Sequence, residues 1–295
     1  YGRFGYALTV NGMGTRIGAS YSYLDYKLGK ELKVLDAKGS AAQSSVWVSQ
    51  PVLLSNTSEV RLSLQYDYKQ LKDDVGLNQY YKQRDIDLIS FRLDGSSIDA
   101  LWGGGFNQYG TSTRLGRVKF KNADAALLDD LTAKTSGDFY DIGLNYSRLQ
   151  NIGSAGTQAY FMIYGQYSPY NLDSSEQYLS GGPFNVRGYD SSQFAGSSGY
   201  YTTLELRQRL FSNAKNQVGA KVFIDTADVT INADRWLGTT GSNKAQIHSA
   251  GLGFNWFNTA NFQATAEVGF PIGSKPSQME QRDSSQYWLS LRQSF

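Results

Sequence analysis

Gly181-Gly182-Pro183-Phe184-Asn185-Val186-Arg187-Gly188-Tyr189 sets one arginine between glycines, in a chain that otherwise alternates like strands. An arginine at a solvent-exposed tip needs no such backbone, whereas glycine lets a chain approach another surface closely. The spacing predicts a loop that folds inward and docks Arg187 on an acid; the same residues also read as a flexible surface turn. Choosing between the two requires a wall for the loop to lie on and a carboxylate within it.

Composition narrows the wall. The 295 residues carry 28 Lys+Arg against 26 Asp+Glu, so charge exerts no net pull toward nucleic acid and none is expected as a partner. Cysteine is absent and His248 is the one histidine, which removes Cys/His metal sites, thiol nucleophiles and most histidine acid–base chemistry. No catalytic residue, metal or cofactor is expected, and the chain does not read as an enzyme. The 21 tyrosines and 31 glycines against 5 prolines favour many strands joined by glycine-rich turns. No apolar run reaches the roughly 18 residues of a membrane-spanning helix. The mean hydropathy of -0.43 resembles that of a soluble protein. A transmembrane β-barrel gives the same average, because only alternate residues face lipid.

The alternation is explicit along the chain. Phe4, Tyr6, Leu8 and Val10 alternate with small residues before the turn Asn11-Gly12-Met13-Gly14, and Ile17, Ala19, Tyr21 and Tyr23 share a face on the return. After a charged segment over 28–40, strands follow near Val46–Val52 and from Val60, where Leu62, Leu64, Tyr66 and Tyr68 oppose Arg61, Ser63, Gln65, Asp67 and Lys69. A long loop over 73–82 precedes strands near 84–95 and 99–109, joined by Asp94-Gly95-Ser96-Ser97. A second long loop, 116–137, contains a helical candidate, Ala123–Lys134. Strand 138–149 sets Tyr140, Ile142, Leu144 and Tyr146 against polar residues; strand 157–168 is apolar on both faces. Beyond the opening stretch come strands over 201–210, 218–229, 247–256, 262–272 and 287–295, about thirteen in all.

Long and short links alternate throughout, which separates one long-loop rim from one short-turn rim. That is the pattern of an all-β, antiparallel, up-and-down barrel of the bacterial outer-membrane type, with lipid as its surroundings. In the last strand Tyr287, Leu289 and Leu291 share a face with Phe295, an aromatic-ended alternation read as an assembly signal for the barrel assembly machinery. Trp47, Trp102, Trp236, Trp256 and Trp288 fit strand ends, interface girdles or the lumen, and His248 reads as a wall or rim residue. The chain starts within strand-like sequence, so its N-terminus is expected to be a cut inside a larger protein.

Alternation in strand 218–229 turns Ala220, Val222 and Ile224 outward and Lys221, Phe223 and Asp225 inward. Asp225 is the candidate acid for Arg187: a bidentate pair shielded from water would exceed an exposed one in strength.

Val186-Arg187-Gly188-Tyr189 matches the VRG(F/Y) tongue, and Phe223-Ile224-Asp225-Thr226-Ala227 resembles the FxDxG wall motif, of the superfamily that includes the barrel assembly factor and the two-partner secretion transporters. Ala227 departs from the final glycine. Asn171-Leu172-Asp173-Ser174-Ser175-Glu176, Leu204-Glu205-Leu206-Arg207, Leu24-Asp25-Tyr26-Lys27-Leu28-Gly29-Lys30-Glu31 and Gly251-Leu252-Gly253-Phe254-Asn255-Trp256 resemble the two-partner secretion branch, of the haemolysin secretion/activation type. The resemblance implies passage of a large unfolded TpsA-type exoprotein from periplasm to cell surface, with Arg61, Lys69, Glu205, Arg207, Lys221 and Glu267 as lumen-lining candidates. It implies a barrel of about sixteen strands, preceded by a plug helix and polypeptide-transport-associated (POTRA) domains. Residues 1–295 are then the C-terminal barrel portion, without its first strands. An assembly or insertase barrel of the same superfamily, acting on other outer-membrane proteins, is the alternative.

Overall fold

The computed structural model describes residues 1–27, 37–76, 80–153 and 156–294. Eight strands come first: β1 (Gly2–Thr9), β2 (Arg16–Lys27), β3 (Ala37–Leu54), β4 (Ser58–Val75), β5 (Tyr80–Asp99), β6 (Gly105–Phe120), β7 (Gly137–Ile152) and β8 (Thr157–Tyr167). Two short strands, β9 (Tyr178–Ser180) and β10 (Phe194–Gly196), pair with each other inside a long loop. The meander resumes with β11 (Ser198–Ser212), β12 (Asn216–Thr230), β13 (Lys244–Asn258), β14 (Phe262–Ile272) and β15 (Gln286–Gln293). Apart from β9 and β10, the strands make one 13-stranded antiparallel sheet in sequence order, with β8 paired directly to β11 across the excursion. Among the described residues β1 and β15 each pair with a single neighbour.

The two faces differ as the period-two pattern requires. Val222 and Ile224 on β12 are 56% and 49% exposed, whereas Phe223 and Asp225 between them are buried. Leu62, Leu64 and Tyr66 on β4, and Tyr140, Ile142, Leu144 and Tyr146 on β7, are exposed on the same outer face. An outer surface of large apolar side chains is costly in water and suits lipid, where the sheet's own hydrogen bonds satisfy its backbone. No helix among the described residues is long and apolar enough to cross a membrane.

Several boundaries need correction; β6 runs to Phe120 and so takes the first part of the loop expected over 116–137. Asp94-Gly95-Ser96-Ser97 is not a turn: it lies within β5, paired to β4 and β6, and the chain reverses at the 3-10 turn Leu101–Gly103. Gly95 is needed there because the Tyr109 ring of β6 occupies the place of a side chain, 2.4 Å from where a Cβ would sit. The long loop placed at 73–82 is mostly strand, since β4 runs to Val75 and β5 starts at Tyr80. Strands β3 to β6 have 16 to 20 residues, beyond the roughly 9–11 needed to cross a bilayer. Charged cross-strand pairs such as Lys38–Asp74 let that excess continue into water. The helix α1 spans Ala123–Leu131, shorter than Ala123–Lys134, because Thr132 leaves the helical region and Lys134 takes a positive φ. The Leu28–Glu31 end of one resemblance and Phe295 lie outside the described residues.

Residues 168–197 lie on the inner face and account for the strand that is apolar on both sides. On β8, Phe161 and Ile163 point outward while Tyr164 stacks on Tyr178 of the loop, centroids 5.9 Å apart. Met162 packs against a buried cluster of Tyr178, Val186, Tyr189 and Phe194 from the loop with Tyr201, Ala227, Val229, Ala245 and Ile247 from the wall. A second cluster on the opposite part of the sheet sets Leu172 of the loop against Leu71, Ile86, Leu88, Val118 and Phe139.

Candidate functional site

Pairing register explains why Asp225 is surrounded by acceptable neighbours. Antiparallel pairing places Thr203 of β11 and Ser249 of β13 opposite Asp225, close enough for side chains to meet. Thr203 Oγ1 donates to Asp225 Oδ1 at 2.7 Å, and Ser249 Oγ donates to Oδ2 at 3.1 Å. Onto this cradle the loop lowers Arg187. Its backbone N–H and Nε both donate to Asp225 Oδ2, at 3.1 and 3.0 Å, and Nη2 donates to Oδ1 at 2.7 Å. The carboxylate is 0% exposed and the arginine 3%.

Asp225 is one of three acids there. Arg187 Nη1 donates to Glu205 Oε1 at 2.6 Å and to Glu267 Oε1 at 3.0 Å, while Nη2 also reaches Thr203 Oγ1 at 3.0 Å. Lys221 lies 2.5 Å from Glu267, and Arg207 lies 2.7 Å from Glu205. Three cations therefore face three carboxylates, so the cluster has no excess charge to bury. The guanidinium also lies over the Phe223 ring, 3.4 Å from its centroid, which gives the aromatic of the wall motif a direct contact. Burial works against the charged form of Arg187, and Asp225, Glu205 and Glu267 outweigh it, raising its pKa above the ordinary value.

Close approach is what the glycines supply. A Cβ on Gly188 would lie 2.7 Å from Ser249 Cβ and 2.8 Å from the backbone N of Pro271; one on Gly269 of β14 would lie 2.5 Å from the Arg187 carbonyl. That carbonyl accepts a hydrogen bond from Trp288 Nε1 at 2.8 Å. Val186 and Tyr189 flank the arginine in the first apolar cluster. Beside the dock is a cavity of about 650 Å³, lined in part by Phe184, Tyr160, Tyr201 and Trp288, and Phe184 is 92% exposed.

A model of the family described as haemolysin secretion/activation protein ShlB/FhaC/HecB matches residues 12–268. The chain belongs to this family. It is accordingly an outer-membrane protein. HuxB of Haemophilus influenzae, named heme/hemopexin transporter protein, is 21% identical over 305 residues, covering 99% of this chain and 51% of HuxB. The chain thus spans about half the length of the curated relatives it matches. Among solved structures, CdiB from Escherichia coli superposes with a TM-score of 0.77 at 16% identity, over 98% of this chain and 52% of CdiB. BamA from Haemophilus ducreyi lacking POTRA domains 1-3 gives 0.68 at 15% identity, over 98% of this chain and 62% of that one. At such identities the likeness concerns the fold: the meander follows the wall of these barrel-forming proteins.

Within this family member the sites expected from sequence are distributed as follows. Val186, Arg187, Gly188 and Tyr189 meet Asp225 and Phe223, joined by Glu205, Arg207, Lys221 and Glu267. Lys69 is elsewhere, 2.7 Å from Glu176 of the loop. Arg61 joins neither group and pairs with Glu59 of its own strand at 2.5 Å. Ala227, standing where the wall motif has glycine, is 1% exposed and its methyl packs in the apolar cluster, so the departure leaves no void. Tyr287, Leu289 and Leu291 share the exposed face of β15. Trp288, on the opposite face, and Thr203 and Ser249 were not singled out beforehand as dock residues; the alternation of β15 away from Leu289 is the signal that places Trp288 inside. His248 is a wall residue, its Nδ1 2.5 Å from Thr226 Oγ1. Among the described residues no group of three or more His, Cys, Asp or Glu is placed to hold a metal ion.

Proposed function

We propose that residues 1–295 are the barrel portion of a two-partner secretion transporter that passes one large, unfolded exoprotein from periplasm to cell surface. The observation carrying this reading is the Arg187–Asp225 dock, which fastens a loop along the inner face of a family member's sheet. In this reading the sheet closes into a barrel with strands that precede Tyr1, and a plug helix and POTRA domains precede those. The loop occupies the lumen, and Glu205, Arg207, Lys221 and Glu267 line the route beside it. The cargo is a TpsA-type exoprotein, the outer face meets outer-membrane lipid, and Tyr287, Leu289, Leu291 and Phe295 present the last strand to the assembly machinery. Transport relies on no catalytic group of this chain.

The experiment is to express the full-length parent with Arg187→Ala and measure exoprotein release at matched levels of assembled barrel. Release is expected to fall; undiminished release sinks the role given to the loop. The likeness to BamA favours a second reading, in which the barrel assembles other outer-membrane proteins. Depleting the parent separates the two: a transporter leaves the outer-membrane protein profile unchanged, and an assembly barrel depletes it.

A further inference from the structure

The loop is also held at a place the tongue motif does not reach. We propose that Asp173 and Glu176 form a base dock, which fastens residues 171–177 to the β4–β6 wall independently of Arg187, with Gly181-Gly182 as the joint about which the tip leaves its own dock.

Both acids are buried, 1% and 2% exposed. Asp173 lies 2.9 Å from Lys82 and 2.6 Å from Arg84, both on β5. Glu176 lies 2.7 Å from Lys69 on β4 and 3.1 Å from Arg114 on β6. The tip's ionic partners stand instead on β11, β12 and β14, and the two docks share none. The apolar contacts divide in the same way, Leu172 in one cluster and Val186 in the other.

The polarities are opposite. At the tip the loop brings a cation to wall acids; at the base it brings acids to wall cations. Either half placed in the other's site would meet like charge, so each limb has one seat. Backbone contacts also secure the base: Gln166 Nε2 donates to the Glu176 carbonyl at 3.0 Å, and Leu172 N–H donates to Ser197 Oγ at 3.1 Å. Between the docks Gly181 and Gly182 take φ of +100° and +104° in succession, a conformation open to glycine and closed to most side chains. Two adjacent residues with that freedom form a natural joint, and units held by separate contacts can open separately.

This inference deepens the transport reading and rests on it for purpose: clearing the lumen needs only the tip to move. Its test does not depend on transport. Residues 1–295 contain no cysteine, so in a full-length parent freed of any others, Leu172→Cys reports the base and Val186→Cys the tip through maleimide labelling in isolated outer membranes. Adding Arg187→Ala is expected to speed labelling of the Val186→Cys thiol about tenfold or more while the Leu172→Cys thiol stays protected. Adding Asp173→Asn with Glu176→Gln is expected to do the reverse. If either change exposes both thiols, the loop is a single cooperative unit and the inference is wrong. Heat-modifiable mobility reports assembly; should the double variant fail to assemble, Lys69→Gln with Lys82→Gln removes one wall cation from each acid, and this pair too must expose the Leu172→Cys thiol alone. Selective labelling with undiminished secretion would keep the two docks and remove the transport role; joint labelling with lost secretion would do the opposite.

Discussion

The tip and the base of one loop are fastened to the same sheet by opposite means. At the tip a single arginine is shared by Asp225, Glu205 and Glu267. At the base two acids, Asp173 and Glu176, are shared by Lys82, Arg84, Lys69 and Arg114. The tip concentrates its attachment in one planar guanidinium whose hydrogen bonds form or break together. The base distributes it over four cations on three strands, so that no one of them is indispensable. Concentration makes the tip releasable by one movement, and distribution makes the base hold.

That contrast breaks most sharply at the arginine. Arg187→Ala leaves three buried carboxylates with only Lys221 and Arg207 to offset them, a loss of about 3–5 kcal/mol for breaking one side of a buried charge pair. Detergent-solubilised full-length protein should show it as a large fall in thermal midpoint, and Arg187→Lys should restore little because an ammonium cannot make the two-point contact with Asp225. Glu176→Gln should cost less, about 1.5–3 kcal/mol, because Gln166 still binds the backbone there and Asp173 still holds its pair. A loss as large as that at Arg187 would erase the difference between the docks. Gly269→Ala attacks the tip without touching charge: its methyl would press on the Arg187 carbonyl, at about 1–3 kcal/mol, and should expose the Val186→Cys thiol while Asp225 remains intact.

Acid provides a graded version for the base. Burial pushes the Asp173 carboxyl up, but Arg84 and Lys82 outweigh it and hold the group below its ordinary value; Asp73, 2.5 Å from Arg84, is the other acid facing this site. With the folded pKa depressed, the stabilisation is present above the unfolded value of about 4 and is lost as pH falls through the folded value. Exposure of the Leu172→Cys thiol, read here with a dithiodipyridine because maleimide needs the thiolate and stops reacting in acid, should therefore be flat at neutral pH and rise only in strong acid, whereas a rise already near pH 6 would contradict the assignment. The smallest effect belongs to Arg61→Ala, whose partner Glu59 is partly exposed on the same strand. It should change stability by about 0–0.5 kcal/mol and leave both thiols protected.

Much of this was legible in the chain itself. Period-two alternation is local, so it sorted Leu62, Leu64 and Tyr66 from Asp67 and Lys69, and Ile224 from Asp225, before any partner was known. The link lengths ordered the meander, and Arg187 between glycines asked for an acid that Asp225 supplied. The strand ends in the long hairpins were less legible: Asp94-Gly95-Ser96-Ser97 has turn composition, and only pairing on both sides keeps it extended. Which inner-face charges meet was not legible, because that depends on register between strands far apart in sequence and on the path of a loop across the sheet. Register brings Thr203 and Ser249 to Asp225, and the loop's path brings Asp173 to Arg84 and Glu176 to Lys69, leaving Arg61 outside. The sequence alone determined two faces, a strand order and a cation seeking an acid, since each is written in neighbouring residues. The tertiary structure alone decided that the loop is held twice and with opposite polarity, since that required side chains about a hundred residues apart, such as Lys69 and Glu176, to arrive at one place.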